Sequence, residues 1–126
     1  MAVPTSASPS VAESLTLALI ASSDAPLLLL DGDLKVIAAS NSFGRAFKVD
    51  AAGARGQLVF DLGVGEWNSP KLRSLLSATA SGQAAIEAYE MDLKIGGEAL
   101  RRLVIKAERL TYGDAHVARL LMTVAD

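Results

Sequence analysis

The chain has 126 residues, 51% of them hydrophobic and 21% charged, which suits one folded domain around a single core and excludes a disordered chain. Twelve basic against fourteen acidic residues leave a net charge of -2, which argues against nucleic acid as the main partner. There is no cysteine, so disulfides, thiolate metal sites and cysteine nucleophiles are excluded, in keeping with a cytoplasmic protein.

Residues 1–10, rich in Ala, Ser, Thr and Pro, read as a disordered leader. A helix is predicted over residues 11–22, with Ser10 as N-cap and Glu13 completing a capping box. Its apolar run, Leu15 to Ala21, is far too short to span a bilayer, which takes about 20 residues. Val11, Leu15, Ala18 and Leu19 share one side of that helix, and Leu17, Ile20 and Ala21 widen the stripe. So broad a stripe calls for two neighbours. One flank can cover the domain's own sheet, and the flank of Val11, Leu15, Ala18 and Leu19 is the candidate interface of a homodimer.

The stretch from Ala25 to Phe47 organises the rest. Leu27 to Leu30 is a short apolar strand, Asp31-Gly32-Asp33 a turn, and Leu34 to Ala39 a second strand. Ser40 or Asn41 offers a helix N-cap, and Phe43, Ala46 and Phe47 fall on one helical face. Lys48 to Gln57 reads as a loop, followed by a compact apolar patch from Leu58 to Leu62. Ser69 before Pro70 starts a helix carrying Leu72, Leu75, Leu76 and Thr79, which ends at Ser81-Gly82. Tyr89, Met91 and Leu93 alternate with charged residues as a half-buried strand, and Gly96-Gly97 turns the chain. Leu103, Ile105 and Ala107 mark the next strand and residues 111–114 another turn. Ala115 to Val124, apolar on both faces, belongs in the middle of a sheet. The element order is β-β-α-α-β-β-β after a leading helix, an α+β chain with an antiparallel sheet.

Three pieces of this pattern resemble the PAS sensor domain family: the hairpin followed by Asn41, Phe43 and Phe47; the segment LVFDLGVGEWNSPKLRSLL; and YEMDLKIGGEALRRLVIKAERL. Gly65, Trp67, Pro70 and Leu72 match a G-x-W-x-x-P-x-L pattern, similar to that of a subgroup found in bacterial sensory histidine kinases and in chemoreceptor-methyltransferase-associated proteins. The resemblance implies a PAS domain over residues 23–126, a five-stranded antiparallel sheet with helices on one face and an N-terminal helix. It implies sensing, dimerisation and relay of a signal to an effector or kinase domain of the same or a partner protein. A small apolar ligand between sheet and helices is the alternative role, with Phe43, Phe60, Trp67, Leu76, Met91 and Ile105 as candidate pocket walls.

No cofactor and no catalytic or metal-binding residue is expected. His116 is the only histidine, so a multi-histidine metal site is excluded, and its place at a strand start is the wrong one for a phosphoacceptor or for the haem ligand of PAS relatives. Flavin–cysteine and cinnamoyl chromophores both need a cysteine. No Walker loop, Rossmann fingerprint, kinase signature or nucleophile elbow is present, so the chain alone is read as non-enzymatic. Asn41 is expected to cap its helix or tie the loop to the strand, Trp67 to anchor the core, and Arg101 and Arg102 to form a solvated strand edge.

Overall fold

The computed structural model describes residues 11–95, 99–110 and 119–125, with side chains from residue 14 onward. The order is α1 (Val11–Ala21), β1 (Leu27–Asp31), β2 (Val36–Ala39), α2 (Asn41–Phe47), a 3₁₀ turn (Val59–Asp61), α3 (Pro70–Ala80), β3 (Ile86–Leu93), β4 (Arg101–Leu110) and β5 (Arg119–Ala125). The five strands form one sheet in the order β2-β1-β5-β4-β3, every neighbouring pair antiparallel. The α+β architecture expected from the sequence is the one found, with β5 central. The Ser10–Glu13 capping box, the turns at Gly96-Gly97 and 111–114, and His116 lie outside the described residues.

Strand alternation divides the apolar residues between two faces. Leu28 and Leu30 of β1, Leu103, Ile105 and Ala107 of β4, and Leu120, Met122 and Val124 of β5 enter one large core beneath α2, the 3₁₀ turn and α3. Leu29, between Leu28 and Leu30, points the other way, into a small second cluster with Ala38 and with Ile20 of α1. Thus α1 lies on the sheet face opposite the other helices.

Two strand boundaries differ from the sequence reading, each for a local reason. Leu34 is not in β2. It ends a three-residue hairpin loop in the left-handed region, at φ 66, while Asp31 carbonyl accepts from Leu34 N at 3.0 Å. This is the turn in which a left-handed residue forms a bulge. Burial of the Leu34 side chain opposes the backbone cost of about 1 kcal/mol or more. Neither Gly32 nor Asp33 has the positive φ expected of the turn. β3 begins earlier than its alternation suggests. Ile86 pairs with Ala107 and Tyr89 with Ile105, so three steps on β3 oppose two on β4. This bulge returns Ile86 to the core side although it is five residues from Met91.

Arg101 and Arg102 do not form a sheet edge, because β4 runs between β3 and β5. Arg102 Nε donates to Asp92 Oδ1 at 3.1 Å across the β3–β4 pair, on an exposed surface, and this hydrogen bond followed by the carboxylate's charge raises the guanidinium pKa. Arg101 turns inward instead.

Candidate functional site

The six candidate pocket walls come from six places: Phe43 from α2, Phe60 from the 3₁₀ turn, Trp67 from the segment before α3, Leu76 from α3, Met91 from β3 and Ile105 from β4. All six are buried in the same core cluster. Ser69 starts α3 as expected, its side chain accepting from Leu72 N at 3.3 Å with Pro70 at the first helical position, and this aims Leu72 and Leu76 at the sheet.

Three rings dominate the interior. The Phe43 and Phe47 centroids are 4.9 Å apart, Phe43 and Trp67 5.5 Å, and Phe47 meets Trp67 edge-on at 5.3 Å. Such tilted and edge contacts are the favoured geometries of aromatic pairs. Trp67 is fully buried, as a core anchor should be, yet its indole Nε1 has no hydrogen-bond partner among the described residues. A buried donor left unpaired costs about 1–3 kcal/mol.

Arg101 closes this cluster from the β4 side. Its guanidinium lies 4.8 Å from the Phe47 ring centroid, and Nη1 donates to the carbonyl of Ala46 in the last turn of α2. A cation there complements the negative end of the helix. An arginine pair beside a turn looks like surface in a sequence, so nothing in the pattern separates Arg101 from Arg102.

The hydroxyls of Ser40 and Ser42 form a second polar centre that sequence pattern did not reveal. Ser40, not Asn41, is the N-cap of α2: its Oγ accepts from Phe43 N at 3.1 Å and from Leu27 N at 3.1 Å, and lies 3.2 Å from the Ala25 carbonyl. Ser42 Oγ lies 3.0 Å from Ser40 Oγ and donates to the Ser23 carbonyl at 2.8 Å. Asn41 is exposed. The capping role was legible, but the contacts to residues 23–27 depend on the hairpin bringing α2 back to the foot of α1.

On α1 the candidate dimer residues Leu15, Ala18 and Leu19 are exposed, Leu15 by 59% and Leu19 by 69%, while Leu17 and Ile20 pack on the sheet. The Val11 side chain is outside the described residues. No helix among the described residues is long and apolar enough to cross a membrane.

No protein-family model and no curated protein sequence matches the chain. Solved structures do. The photoactive yellow protein domain of the sensor histidine kinase Ppr from Rhodospirillum centenum superposes with a TM-score of 0.70 at 12% identity, over 87% of this chain and 92% of that one. The PAS domain of Bordetella pertussis BvgS gives 0.62 at 16% identity, over 90% and 84%. This chain has the PAS fold. A PAS domain from another two-component sensor histidine kinase gives 0.61 at 8% identity, over 89% and 93%. These matches include PAS domains of sensory histidine kinases. Identities this low carry the PAS fold and no residue's role.

Proposed function

We infer that this chain is a sensory and dimerisation module of a bacterial signal-transduction protein, associated with a histidine kinase, and that it works in the cytoplasm. It passes a change in its own domain to an effector or kinase domain of the same or a partner protein, without catalysis of its own. The PAS fold and its likeness to sensory-kinase domains support the class. The division of α1 carries the dimer: Leu17 and Ile20 are spent on the sheet, while Leu15, Ala18 and Leu19 present an uncharged apolar strip outward. A second copy with the same strip would bury it at roughly 25 cal/mol per Å² of apolar surface, in a closed two-fold pair. Val11, four positions before Leu15 in the sequence, belongs to the same candidate interface by helical spacing. Light scattering tests this reading. A dimer is expected at tens of micromolar, on the order of a weak dimer's affinity. A monomeric chain, or a Leu15→Glu, Leu19→Glu variant that dimerises equally well, refutes the interface.

One observation favours the second reading, a ligand between sheet and helices. The unpaired Trp67 N–H offers a hydrogen bond to an acceptor on a small, otherwise apolar molecule in contact with Phe43, Phe60, Leu76, Met91 and Ile105. Mass spectrometry of a solvent extract of the purified protein should then reveal a stoichiometric compound. Finding none would leave the three packed rings as a filled core.

A further inference from the structure

A groove of about 460 Å³ lies away from the aromatic interior, between the β1–β2 hairpin loop and the outer face of α3. Its volume falls within the range of small-molecule sites. Half-buried Leu58 gives it an apolar floor, edged by the nearly enclosed Leu34 and Phe60, and Arg73, Ser77 and Asp33 give it polar walls. Arg73 and Ser77 are one helical turn apart, on the same side of α3.

The polar groups are held in place but not used up. Arg73 stacks on Phe60, 4.3 Å from the ring centroid, and Nη2 donates to Asn68 Oδ1 at 3.0 Å, which fixes the guanidinium and leaves its other N–H groups to donate. Asp33 sits in a loop braced by its neighbour: Asp31 Oδ1 accepts from Asp33 N at 2.8 Å and from Lys35 N at 3.0 Å. The bracing uses the Asp33 amide and leaves the Asp33 carboxylate and the Ser77 hydroxyl without a hydrogen bond among the described residues. Although Arg73 and Asp33 line the same groove, no ion pair joins them.

A fixed cation, an unspent carboxylate and an apolar floor complement a small zwitterion with an apolar body. We propose that this groove binds a free α-amino acid with an apolar side chain. Its carboxylate is taken by Arg73 and Ser77, its ammonium group by Asp33, and its side chain lies against Leu58 beside the edge of Leu34. The proposal depends neither on the dimer nor on a ligand in the core.

L-leucine is the probe, titrated into the full chain by calorimetry. Saturable binding is expected. Arg73→Gln and Asp33→Asn should each weaken it about tenfold or more, the usual consequence of losing a charge-assisted contact. Leucinamide, which lacks the carboxylate, and 4-methylpentanoate, which lacks the ammonium group, should bind the unaltered protein more weakly by a similar factor. Both substitutions change exposed side chains, and a cooperative unfolding transition verifies that the variants fold. The proposal is overturned if leucine shows no saturation up to about 10 mM, if either variant binds as the parent does, or if both analogues bind as tightly as leucine. Amide chemical-shift changes that avoid residues 32–34 and α3 would also refute it. Light scattering on the same samples reads the dimer separately, so failure here is distinguishable from failure of the signalling module.

Discussion

On one face of the sheet, Leu28 and Leu30 meet a core closed by two helices, a 3₁₀ turn and three packed aromatic rings; on the other, Leu29 meets Ile20 and Ala38 under a single helix. These three leucines are consecutive and essentially completely buried. What differs is the depth of their cover. A residue below interlocked rings leaves a void when truncated, because its neighbours are held from several sides. A residue below one surface helix can be followed inward by that helix.

Truncation should therefore expose the difference directly. Leu28→Ala is expected to cost about 4 kcal/mol and Leu29→Ala about 2–3 kcal/mol, read as urea midpoints with unchanged slopes. Equal losses would mean that α1 is as firmly seated as the other helices. Ser40→Ala comes next, at about 1–3 kcal/mol, because it removes a helix cap together with the acceptor of Leu27 N. Arg101→Gln should cost about 1 kcal/mol through the lost stacking on Phe47 and the weakened contact at the end of α2. It should also shift the emission of Trp67, which meets the same ring, and an unchanged spectrum would place Arg101 outside the aromatic cluster in solution. The smallest effect belongs to the outward side of α1. Leu15→Glu with Leu19→Glu should alter monomer stability by no more than about 0.5 kcal/mol, measured at a concentration too low for association. A larger loss would show that these side chains support the domain itself.

The sequence made the thick face more legible than the thin one. Alternation in β4 and β5 and helical spacing in α3 identify buried positions because each element places its apolar residues on one regular face. Leu34 and Ile86 escape that logic: a left-handed turn and a bulge each break the period that the reading relies on. In α1 the stripe is continuous, and the division between Leu17 with Ile20 and Leu15 with Leu19 becomes plain only against the sheet. The groove beside Arg73 was hidden for a different reason. Asp33 and Arg73 are forty positions apart in sequence, and neither belongs to a pattern that would link them.

Ser40 and Ser42 have a kinetic consequence. Their hydroxyls join the exit of α1, at Ser23 and Ala25, to the first turn of α2, and one oxygen accepts from the amides of both Leu27 and Phe43. Neither amide can be released without disturbing the oxygen that serves the other. Both should exchange with deuterated solvent at closely matched rates, as parts of one opening unit. The hinge between the leading helix and the domain is thus fastened to the helix that carries Phe43 and Phe47, so a loosened aromatic interior would also free the root of α1.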